Sequence, residues 1–180
     1  MEKITLKDKT FRTFIPYDKI SDAIDKVADK INADFRGCED FPVLLCVLNG
    51  SIMIMGELMK RLEFNCQTVS IKLTSYEGTS TTGKVREAMG LTSDVTGRRV
   101  IIVEDIVDSG NAIVELKEIL ASKGASESRI CTMLLKPDAY KKDIAIDYVG
   151  LEIPNDFIVG FGLDYDEYGR NLKDIYVLDE

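Results

Sequence analysis

The stretch Val100-Ile101-Ile102-Val103-Glu104-Asp105-Ile106-Val107-Asp108-Ser109-Gly110 decides the fold. Four aliphatics in a row suit a strand buried on both faces, as in a parallel sheet. The run ends in two adjacent carboxylates, with a third three residues later, and passes straight into Ser-Gly at the start of a helix. From Asn111 to Lys123 the residues Ile113, Leu116 and Leu120 share one helical face, and Gly124 is a natural residue to end it. The result is strand, tight loop, helix.

Outward from this unit the same alternation repeats. Tyr17 to Phe35 carries Ile20, Ala23, Ile24, Val27 and Ile31 at helical spacing. Val43 to Leu48 is a second continuous apolar strand, broken by Asn49-Gly50-Ser51, and Ser51 to about Leu62 reads as a helix with Met and Ile inward. Thr68 to Leu73 alternates as a half-buried strand. The segment 74 to 83 is rich in hydroxyl groups and glycine and reads as a loop, and 84 to 99 suggests a short hairpin, so the excursion 74–99 has the length of a lid. Ile130 to Leu135, Ala145 to Val149, Phe157 to Gly160 and Ile175 to Leu178 read as further strands. Strands alternating with helices predict an α/β fold, a mainly parallel twisted sheet flanked by helices.

Composition narrows the chemistry. The chain has 180 residues, 45% hydrophobic and 30% charged, which suits one domain with a sizeable core. A net charge of −8 argues against nonspecific binding to nucleic acid or an anionic membrane surface. No histidine is present, so His-based triads and His-ligated metals are excluded, and an acid or base must be carboxylate, Lys, Tyr or Cys. Cys38, Cys46, Cys66 and Cys131 form no C-x-x-C pair and read as reduced thiols. No secretory signal and no run of roughly 20 apolar residues appears, so a cytoplasmic protein is expected.

In open α/β sheets ligands bind beyond the carboxyl ends of strands, which singles out the turn after Val103. Capping of the next helix by Asp108 or Ser109 would be ordinary, yet it leaves Glu104 and Asp105 unexplained. The turn Asp108-Ser109-Gly110-Asn111-Ala112 offers backbone N–H groups, a hydroxyl and a helix N-terminus suited to a terminal phosphate. The carboxylate pair suits sugar hydroxyls or a divalent ion. One phosphate and one polyol side by side are implied.

Residues 100 to 110 resemble the phosphoribosyl pyrophosphate signature of the type I phosphoribosyltransferases. Leu48-Asn49-Gly50-Ser51 is similar to the family's pyrophosphate loop, Ser75-Tyr76 to the start of its mobile loop, and Lys136 with Phe157 to Phe161 to its purine pocket. The terminal block Gly162-Leu163-Asp164-Tyr165-Asp166-Glu167-Tyr168 with Arg170 is similar to that of the hypoxanthine-guanine branch. The resemblance implies a single domain over 1–180, with a core over about 17–150, a small hood from about 1–16 and 151–180, and a mobile loop over about 74–99. It implies purine salvage: transfer of the 5-phosphoribosyl group from phosphoribosyl pyrophosphate to hypoxanthine and guanine, with Mg²⁺, in a homodimer or homotetramer. Glu104 and Asp105 would then hold the ribose hydroxyls and, with Asp164, the metal. Ser109, Gly110, Asn111 and Ala112 would cradle the 5′-phosphate, and Asp108 would accept the purine ring proton. Lys136 would donate to a 6-oxo group, disfavouring adenine. Phe157 would stack on the base while the Ile158 backbone meets its edge, Asn49 and Gly50 would bind pyrophosphate, Arg170 would take it bidentately, and Ser75 and Tyr76 would close over the site.

Two positions depart from the family pattern: Asn49, where relatives usually carry Lys or Arg, and Ala112, where a Thr hydroxyl is common. A xanthine-preferring enzyme on the same scaffold is one rival. A non-catalytic regulator that senses phosphoribosyl pyrophosphate and binds nucleic acid is another, and it would need a basic face that a chain of −8 supplies poorly.

Overall fold

The computed structural model describes residues 2–75, 85–91 and 93–179. Its elements in chain order are β1 (Lys3–Leu6), β2 (Lys9–Ile15), α1 (Tyr17–Phe35), β3 (Val43–Leu48), α2 (Ile52–Met59), β4 (Gln67–Ser75), β5 (Val85–Met89), β6 (Arg99–Val107), α3 (Asn111–Ser122), β7 (Glu127–Leu135), β8 (Tyr148–Glu152), β9 (Ile158–Val159) and β10 (Ile175–Leu178). They form a six-stranded sheet of order β5-β4-β3-β6-β7-β8 and a four-stranded sheet of order β1-β2-β10-β9. In the larger sheet only β5 runs antiparallel.

Alternation along the central strands sorts the core onto two faces. Leu44, Cys46, Ile101, Val103, Cys131 and Met133 pack with α1 and α2. Val43, Leu45, Val47, Val100, Ile102 and Ile130 pack with Ile113, Leu116 and Leu120 of α3 on the other. Period-2 alternation across continuous apolar runs is what a doubly covered sheet demands. All four cysteines are free, and burial pushes the Cys131 thiol up to about 12.

The chain order turns at β3 and β6. From β3 it moves through α2 to β4 on one side, and later from β6 through α3 to β7 on the other. That reversal is a topological switch point, where a crevice opens. The ladder between β3 and β6 runs only from Val43↔Val100 to Cys46↔Val103. Beyond it β6 continues beside β7 alone, to Val107↔Leu135. Glu104 and Asp105 are therefore inside a strand rather than after one, on a stretch no longer paired with β3.

Several boundaries differ from the sequence reading. The strand expected at Ala145 to Val149 lies at Tyr148–Glu152, where parallel pairing with β7 sets the register and carries the core sheet past residue 150. β4 extends to Ser75, and Val85–Met89, from the segment expected as a hairpin, pairs with it as β5. Leu91 and Val95 are buried in the α3-side core, and Gly97 N–H bonds the Gly124 carbonyl at 2.7 Å, which fixes the end of the segment expected to be a lid. The N-terminal segment, expected only as part of a hood, supplies the hairpin β1–β2, which with β9 and β10 makes the small sheet.

Candidate active site

Gly50 lies against Asp105: a Cβ placed on Gly50 would collide with the Asp105 carboxylate. Only a residue without a Cβ fits this close to the Asp105 carboxylate of β6. The Leu48–Asn49 peptide is cis. Ser51 is wholly buried, and its hydroxyl donates to the Val47 carbonyl at 2.6 Å, tying the loop back to β3. A Cβ on Gly162, which has φ +99°, would collide with the Gly50 carbonyl, so the terminal block closes on the same loop. Arg170 donates from Nη1 to the Gly162 carbonyl at 2.8 Å and pairs through Nη2 with Asp164 Oδ1 at 2.7 Å. Three segments far apart in sequence meet here.

The carboxylate pair is electrostatically costly. Glu104 is 7% exposed, and burial, with the Asp105 charge beside it, drives its carboxyl well above the ordinary range. Burial also raises Asp105, against a hydrogen bond of 2.8 Å from the Ile106 N–H and the nearby Arg170 charge, which favour its ionised form. Such a pair is stabilised by hydroxyl donors or a cation, the two ligand types expected here.

Residues 104 and 106–113 line a pocket of about 140 Å³ at the N-terminus of α3. Gly110 is the N-cap residue, at φ +79° with no side-chain cap, so neither Asp108 nor Ser109 caps α3. The first N–H groups of any α-helix lack an intrahelical acceptor, and here no side-chain cap from Gly110 meets them. The Tyr140 ring packs where a Gly110 Cβ would stand, 2.8 Å from that position at Cδ2. Tyr140, held by a 2.7 Å bond from its hydroxyl to the Ile144 carbonyl, is a wall of the phosphate turn that nothing in the local sequence pattern signals. Asp108 and Ser109 are exposed. Lys136, tied by its backbone N–H to the Val107 carbonyl at 3.0 Å, places its ammonium 3.4 Å from Asp108 Oδ2. The Lys136 side chain is 12% exposed and that of Asp108 54%, so the carboxylate faces outward while the cation beneath it is enclosed.

Phe157 is 46% exposed, an unusual state for Phe. Its other side is held by Phe11, centroids 6.1 Å apart, and edge-on by Tyr165 at 5.9 Å and 90°. Tyr165 is fixed by a 2.8 Å hydrogen bond from its hydroxyl to Asp8. Phe11 and Tyr165 thus form a backing that sequence inspection passes over, because their contact with Phe157 exists only once β2, β9 and the terminal block meet. Ile158 is buried in β9, paired with Val177. Among the described residues no group of three or more Asp, Glu or Cys could hold a metal, and Asp164 is engaged by Arg170 and by the Glu167 N–H. The Ser75 side chain and all of Tyr76 lie outside the described residues.

Residues 16–166 match the model of the phosphoribosyl transferase domain. The chain belongs to the phosphoribosyltransferase family. It is 35% identical over 176 residues to the hypoxanthine-guanine phosphoribosyltransferase of Streptococcus pneumoniae, covering 97% of each chain. To that of Mycobacterium tuberculosis it is 39% identical over 168 residues, 90% of this chain and 83% of the relative. Its fold matches a crystal structure of a hypoxanthine-guanine phosphoribosyltransferase from Bacillus anthracis, with HEPES in the active site, at a TM-score of 0.86 and 34% identity over 94% of this chain and 97% of that one. The α/β architecture expected from residues 100–124 is the one present.

Proposed function

We propose that this phosphoribosyltransferase salvages 6-oxopurines, converting hypoxanthine and guanine with phosphoribosyl pyrophosphate to IMP and GMP plus pyrophosphate. The observation that carries this reading is the Lys136–Asp108 pair at the rim of the α3 pocket: an enclosed ammonium suited to a 6-oxo acceptor beside an exposed carboxylate suited to a ring N–H. The names of the relatives support the same substrates.

The chemistry assigned to the chain is positioning and charge management. Ser109, Gly110, Asn111 and Ala112 hold the 5′-phosphate through backbone N–H groups at the start of α3. Glu104 and Asp105 receive the ribose hydroxyls, and Asn49 and Gly50 border the pyrophosphate. The ring nitrogen forms the new bond to C1′ as the C1′–O bond to pyrophosphate breaks, the electron pair leaving on that oxygen. Asp108 takes the proton released from the ring, Lys136 holds the 6-oxo group, and Phe157 offers its exposed face for stacking.

The donor set is carboxyl oxygen only, which fits Mg²⁺. Glu104 and Asp105, with Asp164 once released from Arg170, would hold it together with oxygens of the sugar donor. When bound it supplies positive charge against the pyrophosphate. Free thiols and the absence of any long apolar helix among the described residues agree with a cytoplasmic enzyme. Ile52 and Met59, exposed at 52% and 40% and seven residues apart on α2, support association into a homodimer or homotetramer.

The test is to mix the protein with phosphoribosyl pyrophosphate, Mg²⁺ and each of hypoxanthine, guanine, xanthine and adenine, and to follow nucleotide formation by absorbance. Product with hypoxanthine and guanine is expected. Product with xanthine alone would shift the substrate, and no product with any base would overturn the reading.

A further inference from the structure

The loop assigned to pyrophosphate, Asn49-Gly50-Ser51, has no cationic side chain. Beside it stand the carboxyl groups of Glu104 and Asp105, that of Asp105 directly against Gly50, so a leaving group carrying several negative charges finds carboxyl oxygens rather than a cation across the loop. The cations already noted at this end of the sheet have partners. Lys136 is beside Asp108, and Arg170 is held by Asp164 and the Gly162 carbonyl.

Lys72 is different. The β3–β4 ladder continues past the point where β6 leaves β3 and ends on the pair Leu48↔Lys72, so Lys72 is the cross-strand neighbour of the residue directly before the loop. Val69, Ile71 and Leu73 of β4 face the α3-side core, so strand alternation turns Lys72 to the opposite face, where Leu48 packs and where the chain turns from the loop into α2. Lys72 is half-buried, and its ammonium has no hydrogen bond or ion pair among the described residues. A half-buried lysine without a counter-charge among the described residues, in a chain with an acidic excess of eight, stands out against the paired cations around it.

We infer that Lys72 supplies the positive charge missing from the loop, contacting the pyrophosphate of the sugar donor from the neighbouring strand. This rests on the phosphoribosyltransferase reading of the site. The cation acts from β4, whose register with β3 is fixed over six residue pairs, so it is delivered by a rigid ladder. The role is confined to the leaving group, which lies at the β3–β4 side of the crevice, while the base is handled from Lys136 and Phe157.

The test uses Lys72→Met, which keeps the aliphatic stem, and Lys72→Arg, which keeps the charge. Loss of a charge-assisted contact predicts that Lys72→Met raises both the KM for phosphoribosyl pyrophosphate and the Kd of magnesium pyrophosphate by roughly tenfold or more. The KM for hypoxanthine should stay within about twofold, since uniform damage to the fold would move both substrates. Lys72→Arg should stay near the parent. Adding Asn49→Lys to Lys72→Met should restore pyrophosphate binding by placing a cation on the loop itself. An unchanged pyrophosphate Kd in Lys72→Met overturns the inference, as does an equal rise in the hypoxanthine KM. Calorimetric binding of magnesium pyrophosphate needs no turnover. A parent protein that makes no nucleotide would therefore sink the functional reading, while the Lys72 comparison still gives its own answer.

Discussion

Glu104 is a carboxyl group held away from water beside a second carboxyl, on the stretch of β6 that pairs with β7 and no longer with β3. Its raised pKa has a definite consequence for stability. Below the unfolded value of 4.5 both states are protonated and nothing is lost. As pH rises from there toward the folded pKa, the unfolded chain ionises while the native one keeps its proton, so stability falls across that window. Glu104→Gln removes the penalty: the ligand-free variant should melt higher at neutral pH, by about 2–4 °C for each kcal/mol relieved, with the gain vanishing near pH 4. On the proposed role of Glu104 at the ribose hydroxyls, turnover should fall in the same variant. Equal melting temperatures at pH 7.5 would contradict this account of the site, and thermal scans of both proteins at the two pH values decide it. These residues were legible in the sequence as an oddity, two carboxylates after four aliphatics. The burial of Glu104 was not, because it depends on contacts with segments distant in sequence.

At the scale of elements, local pattern and distant contact divide the work. α1 and α3 are readable from apolar spacing, and Gly124 ends α3 as expected, with φ +76°. Position 110 shows the limit. Gly-Asn after Asp-Ser reads as a capped helix entry, yet Tyr140 occupies the space beside Gly110 and the cap is glycine itself. The aromatic platform is the same kind of case. Phe157 reads as core by type, and is left 46% exposed because the short β9 meets β10 at the edge of the small sheet. Tyr165→Leu removes its edge-on support, an aromatic pair worth about 0.5–1.5 kcal/mol, so the KM for hypoxanthine should rise about two- to tenfold with the KM for phosphoribosyl pyrophosphate unmoved. Tyr165→Phe keeps the ring and loses only the bond to Asp8, and should behave as the parent. Steady-state kinetics with each substrate varied would expose an error here as parallel changes in both constants.

At the scale of the molecule, the two sheets are joined by contacts that span nearly the whole chain. α1 begins after Pro16 with no side-chain cap of its own, and Asp174, just before β10, accepts the Tyr17 N–H at 2.7 Å. The chain's end therefore caps the first helix and seats the small sheet on the core. Asp174→Ala should cost about 1 kcal/mol, the usual worth of an N-cap, and lower the melting temperature by about 2–4 °C. A melting curve superposable on the parent would remove that role. Residues 148–152 belong to the larger sheet, beyond the core bound of about 150 that the resemblance implied, and the N-terminal strands left little trace in apolar periodicity. The net charge of −8, at first sight unsuited to a polyanionic substrate, is met locally: helix N–H groups at α3, Lys136 and Arg170 stand at the crevice. The proposed acceptor for the proton of the incoming base is Asp108, the exposed carboxylate beside Lys136 in a chain without histidine. Replacing Asp108 by Asn and measuring IMP formation alongside binding of phosphoribosyl pyrophosphate tests that assignment most directly. The account predicts turnover reduced by about a hundredfold or more with the sugar donor still bound, and undiminished turnover would contradict it.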